Sequence, residues 1–79
     1  MTVKFETKSG KKYELEQDGK SICITFVDGV DKRTYKVDFC SPIVIGSDLS
    51  VRYHVAHNRK FSKQNYFSNE PITDIKIDF

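Results

Sequence analysis

Residues 12–39, KYELEQDGKSICITFVDGVDKRTYKVDF, decide the fold. Apolar side chains recur there at every second position: Tyr13 and Leu15, then Ile22, Ile24 and Phe26, then Tyr35, Val37 and Phe39. Period two is the signature of a pleated strand, whose successive side chains leave opposite faces. An Asp-Gly pair separates each run from the next, first Asp18-Gly19 and then Asp28-Gly29. Asp-Gly is the strongest short hairpin signal, because a type I′ turn needs φ > 0 at both central residues. Antiparallel strands in sequential order follow. The strand around Ile24 carries Cys23 and Val27 on its second face, so it is apolar on both sides and is expected at the centre of the sheet.

Outward from this stretch the alternation continues. Val3, Phe5 and Thr7 alternate with polar residues and lead through Ser9-Gly10 into the Tyr13 strand. On the other side, Ser41-Pro42 ends the ladder, because proline has no backbone donor. Ile43-Val44-Ile45 reads as a short buried strand or a barrel corner, and Gly46-Ser47-Asp48 as a turn. Leu49, Val51, Tyr53 and Val55 alternate again, as do Ile75, Ile77 and Phe79 at the end. No window keeps apolar residues at helical spacing over three turns. The chain is therefore expected to be all-β. A single domain over residues 1–79 would form a small barrel or sandwich of six to seven mostly antiparallel strands, with a meander in its N-terminal half. The expected core is Phe5, Tyr13, Leu15, Ile22, Ile24, Phe26, Tyr35, Val37, Phe39, Val51, Ile75 and Ile77.

Between Ala56 and Pro71 the pattern stops. A connection of that length inside a small domain is usually functional or disordered. One helical turn around Arg59 to Gln64 fits the composition. Charge singles out the same place. Residues 1–48 balance their acids and bases, and residues 70–79 are net acidic. Residues 49–69 hold Arg52, Arg59, Lys60 and Lys63 with no acid at all.

Composition removes several function classes. At 79 residues there is one core and no spare interior for a deep active site. No apolar run exceeds three residues, far short of a membrane helix of about 18. The N-terminus has no basic stretch followed by an apolar one, so no secretory leader is expected. Two cysteines, Cys23 and Cys40, are too few for a disulfide scaffold and read as free thiols of a cytoplasmic protein. Catalysis by a Cys–His pair requires the two within reach, and Cys23 between isoleucines would be silenced by burial. His54 and His57 are three apart, which on a strand sends them to opposite faces, so no metal site is expected. Glu14 and Glu16 read as a solvated face. Phosphate-cradling glycine motifs are absent, and Ser9-Gly10-Lys11-Lys12 reads as a solvated turn.

What remains is a basic-aromatic segment: Arg52, His54, His57, Arg59, Lys60, Phe61, Lys63, Tyr66 and Phe67. Aromatics and arginine anchor protein interfaces, and cations beside aromatic faces also hold nucleic acid. Alternatively, Phe61, Tyr66 and Phe67 simply plug the barrel end while the charges stay wet. The expectation is a non-enzymatic protein, without cofactor or membrane contact, that binds a larger protein partner. Its small size fits an inhibitor or adaptor encoded by a virus or mobile element. The alternative is a small β-barrel that binds nucleic acid or a phosphorylated nucleotide.

Overall fold

Six strands follow one another in the computed structural model, which describes residues 1–57 and 59–78; the side chain of His57 and the expectations attached to it and to Phe79 lie outside the described residues. They are β1 (Thr2–Thr7), β2 (Lys12–Asp18), β3 (Ser21–Asp28), β4 (Asp31–Cys40), β5 (Asp48–His57) and β6 (Lys60–Asp78). Each pairs antiparallel with the next, and β6 returns to β1, so the meander closes into an up-and-down barrel. Closure removes the central and edge positions of an open sheet: β3 is flanked by β2 and β4 like every other strand by its own neighbours.

The hairpins fall where the Asp-Gly pairs point, but one residue later. Asp18 pairs with Ser21 and Asp28 with Asp31, so the central turn residues are Gly19-Lys20 and Gly29-Val30. Gly19 and Gly29 have φ of 60° and 62°, while Lys20 and Val30 keep negative φ. Positive φ at the first central position alone is the type II′ pattern, not the expected type I′.

The interior is built by strand parity. Phe5, Tyr13, Ile24, Leu49, Val51 and Ile72 are buried, with Val3, Leu15, Phe26, Tyr35, Val37, Ile43, Tyr53, Tyr66 and Ile75 packed against them. Three irregularities reset that parity. In β4, Val37 pairs with Tyr53 but Phe39 pairs with Arg52, so Asp38 is an extra residue. The bulge turns Phe39 out to 55% exposure and brings Cys40 in, which corrects the expectation that Phe39 belongs to the core. In β6, Thr73 is extra against β1, which lets both Ile72 and Ile75 face inward. Further back, Asp48 pairs with Pro71 and Ser50 with Phe67, so β6 kinks through residues 68–70. Ser68 Oγ holds that kink, donating to the Glu70 carbonyl at 3.0 Å and accepting from the Glu70 amide at 3.2 Å. Glu70 Oε2 in turn accepts from Thr7 Oγ1 at 2.9 Å and from the hydroxyl and amide of Ser9, tying the β1–β2 turn to β6. Those bonds, the Ser9 hydroxyl first, hold the Glu70 carboxyl below its usual range.

Ile22 and Ile77 were also expected in the core and are exposed. Both have inward parity, but Ile22 lies beyond the last β3–β4 pair, Cys23 with Lys36, and Ile77 stands at the end of β6. There the barrel interior opens to solvent. Residues 41–47 form no strand: Ile43 packs on the core while Val44 and Ile45 are exposed. The connection is tied down by its backbone, with the Gly46 amide donating to the Ile72 carbonyl at 2.8 Å and the Ile72 amide to Ser47 at 2.9 Å. Cys23 and Cys40 are free and half-buried, and burial pushes the Cys40 thiol up.

Candidate functional site

The segment expected as an irregular connection is a strand. Residues 60–67 pair with β5 from His57–Lys60 to Ser50–Phe67, so the connection shrinks to the turn that Arg59 stands in. No helical turn exists there, because residues 60–64 are extended and paired residue by residue with β5. Arg59 has φ 64°, the left-handed region that L residues enter at a cost. Among the described residues, β5 pairs with β6 alone beyond Tyr53, whereas its strand pairing with β4 covers residues 51–53. The tip of the β5–β6 hairpin is thus a two-stranded arm, paired with neither β4 nor β1.

Being a strand, the segment is divided by parity. Arg52 opposite Asn65, His54 opposite Lys63, Ala56 opposite Phe61 and Ser50 opposite Phe67 share the outer face. Val51 opposite Tyr66, Tyr53 opposite Gln64 and Val55 opposite Ser62 share the inner one, and Lys60 falls on the same side as Tyr66 by its even position. Arg52, His54, Phe61, Lys63 and Phe67 are therefore brought together, while Lys60 and Tyr66 are turned away from them. The outer face is also not acid-free. The β4 bulge delivers Asp38, whose carboxylate lies 3.7 Å from His54 Nε2 and 3.4 Å from Lys63 Nζ. Arg52 donates from Nε to Asn65 Oδ1 at 3.2 Å and, among the described residues, has no ion pair. Phe61 and Phe67 are 79% and 65% exposed, and Phe39 stands across from Arg52 on the same outer surface.

Tyr66 is not part of that surface. It is half-buried in the barrel, its hydroxyl 2.7 Å from that of Tyr13. With Tyr13, Phe26, Tyr35 and Tyr53 it forms a continuous aromatic cluster. Phe26 is the hub, its ring centroid 5.8, 5.8, 5.5 and 5.0 Å from those of Tyr13, Tyr35, Tyr53 and Tyr66. Tyr35 and Tyr53 approach to 4.7 Å. Burial, then the hydrogen bond shared with Tyr66, pushes the Tyr13 phenol well above its ordinary range. Burial also raises that of Tyr53.

Above this cluster, between the β1–β2, β3–β4 and β5–β6 hairpins, lies an open cleft of about 470 Å³ at the barrel mouth. Its wall is the aromatic cluster, and its rim carries Lys11, Lys12, Arg33, Asp28 and Asp31. Arg33 reaches it by register: it stands directly across from Phe26, on the interior face of β4. Tyr13, Phe26 and Tyr35 read as core residues from their strand parity, and the cleft that they border has no motif of its own in the sequence. Its one visible signal was Arg33 at the same strand parity as Tyr35 and Val37, a cation on an otherwise inward-facing row. No cluster of histidine, cysteine or carboxylate side chains able to hold a metal occurs among the described residues. No helix among them is long and apolar enough to cross a membrane. A closed up-and-down barrel with an aromatic mouth and a two-stranded arm is the class that these observations define. No family model, curated protein or solved structure matches the chain.

Proposed function

We propose that this chain is a non-enzymatic binding protein, an inhibitor or adaptor in kind, that occupies a surface of a larger protein with the outer face of its β5–β6 arm. The observation that carries this reading is the exposure of Phe61 and Phe67 on one strand face together with Arg52 and Lys63. A phenylalanine on a small barrel ordinarily goes inside, and here two on one face, with Phe39 beside them, stay in water. Aromatics and arginine are the side chains that anchor interfaces, filling pockets on the partner and excluding water around them. Arg52 and Lys63 would steer the arm toward an acidic rim around such pockets. Asp38 sets the limit of that steering, because it already pairs with Lys63 and His54.

The test compares the wild type with a triple variant, Arg52→Ala, Phe61→Ala and Phe67→Ala, in affinity recovery from the native host followed by a measured Kd. A stoichiometric protein recovered by the wild type should be lost, or bound at least tenfold more weakly, while thermal unfolding stays unchanged. Recovery of the same partner at wild-type affinity by the folded triple variant overturns the reading. A nuclease-sensitive complex in place of a protein partner overturns it as well.

A further inference from the structure

We propose that the barrel mouth is a binding site for a nucleoside phosphate, with the planar ring on the aromatic wall and the phosphate at Arg33 and the neighbouring lysines. The site is separate from the outer face of the arm: Tyr53 and Tyr66 belong to the inner face of the same hairpin. Three features of the cleft each match one part of such a ligand. Its volume of about 470 Å³ lies within the range of about 300–1,000 Å³ typical of small-molecule sites, which favour barrel mouths.

The wall provides for the ring. Phe26, Tyr35, Tyr53 and Tyr66 are only partly covered, and all four border the cleft. Nucleobases stack on aromatic faces whatever their sequence. The hydroxyls supply donors. Within the Tyr13–Tyr66 pair only one hydroxyl donates to the other, so whichever donates, one phenolic proton is left over. That proton has a use if a ring nitrogen or carbonyl sits above it.

The rim provides for the phosphate. Lys11, Lys12 and Arg33 line the cleft and, among the described residues, none makes an ion pair. An arginine fork beside an aromatic floor suits a phosphate bidentately. The two rim carboxylates, Asp28 and Asp31, would repel a phosphate placed on them but accept from the hydroxyls of a ribose or an exocyclic amine. A quaternary ammonium, the other ligand that aromatic walls attract, would meet three unpaired cations.

The experiment titrates the four ribonucleoside 5′-monophosphates, their parent nucleosides, tetramethylammonium and a single strand of about eight nucleotides, a length within known single-strand site sizes. Amide chemical shifts and calorimetry are read on the full chain. A monophosphate should shift Phe26, Arg33, Tyr35, Tyr53 and Tyr66, and bind at least tenfold more tightly than its nucleoside. Arg33→Ala, an exposed position that should fold normally, should weaken it at least tenfold, whereas Phe67→Ala on the outer face should not. Tighter binding of the strand than of any mononucleotide, at the same residues, would assign the phosphate and base to single-stranded nucleic acid; the reverse would assign them to a free nucleotide. No shift at millimolar monophosphate overturns the proposal, as do equal affinity for the nucleoside, indifference to Arg33→Ala, or a response to tetramethylammonium alone. The outer-face triple variant should retain the binding, so failure at the mouth and failure of the protein-binding reading are separable.

Discussion

The two faces of the β5–β6 hairpin are made from one stretch of sequence and have opposite fates. The inner face, Leu49, Val51, Tyr53 and Tyr66, packs onto Ile24, Phe26 and Tyr13. The outer face, one residue out of step, leaves Phe61 and Phe67 in water beside Arg52 and Lys63. Composition cannot separate them, since both contain aromatics and both border cations. Only the side of the pleat does. An aromatic residue in this segment is therefore structural or available for contact according to its parity, and each role can be tested against the other.

The sharpest contrast is Leu49→Ala against Phe67→Ala. Leu49 is almost fully buried, so its truncation should cost about 2–5 kcal/mol through lost burial and the cavity left behind. That is a large share of the roughly 5–15 kcal/mol that holds small domains folded. Phe67→Ala should stay within about 0.5 kcal/mol, as surface changes do. Denaturant titrations of the two variants read the difference; equal losses would break the comparison, because Phe67 would then be packed.

Next in size is the hydroxyl pair on the inner side. Tyr66→Phe should cost about 1 kcal/mol, the ordinary net worth of a hydrogen bond. It should also move the Tyr13 phenol back toward its usual value, since the Tyr66 bond is one cause of the rise. Because the folded Tyr13 pKa lies above the unfolded one, its contribution is fully present below about pH 10. It is lost as the pH climbs through the raised folded value. Unfolding measured across alkaline pH should show this fall in the wild type and a flatter one in Tyr13→Phe. An identical alkaline profile in both would mean that the pair does not govern the inner face.

A smaller effect is expected at the kink that positions the two halves of β6. Glu70 has its pKa lowered by Ser9 and Thr7, so its stabilisation is present above the normal carboxylate range and lost as pH falls through the folded value. Glu70→Gln should lower the melting temperature at neutral pH and converge on the wild type in acid. A constant gap at every pH would show that the carboxylate charge is irrelevant to the kink. Smallest of all, Arg59→Gly should stabilise the arm by roughly 0.5 kcal/mol, the relief of left-handed strain less the added freedom of the unfolded chain. A loss on that substitution would show that the Arg59 side chain contributes to the fold as well as to the surface.

Much of this architecture was legible in residues 1–40. Alternation around Tyr13, Ile24 and Tyr35, punctuated by Gly19 and Gly29, is a local pattern, and the hairpins it encodes are formed between neighbours in sequence. The candidate site was half legible. Arg52, His54, Phe61, Lys63 and Phe67 do share a face, but Tyr66 and Lys60 turn away from it. The cause is that residues 60–67 lack apolar alternation: Lys60 and Ser62 occupy the inward parity of the two-stranded arm, beyond the core, and Gln64 stands at its edge across from Tyr53. A strand without a buried face carries no period-two signal.

By itself the sequence determined an all-β chain, its first turns, its free cysteines and the segment in which cations gather. Tertiary structure alone decided the rest. Bulges at Asp38 and Thr73 and the kink at residues 68–70 are departures of one strand from its partner, so they are visible only once both strands are in place. They turned Phe39 outward, drew Ile72 inward and carried Asp38 to His54 and Lys63. Closure of β6 onto β1 brought Tyr66 to Tyr13 across 53 positions of sequence, and with them the rim cations of two separate hairpins. Alternation is a relation between adjacent residues, whereas a binding site is a relation between residues that only a closed barrel brings together.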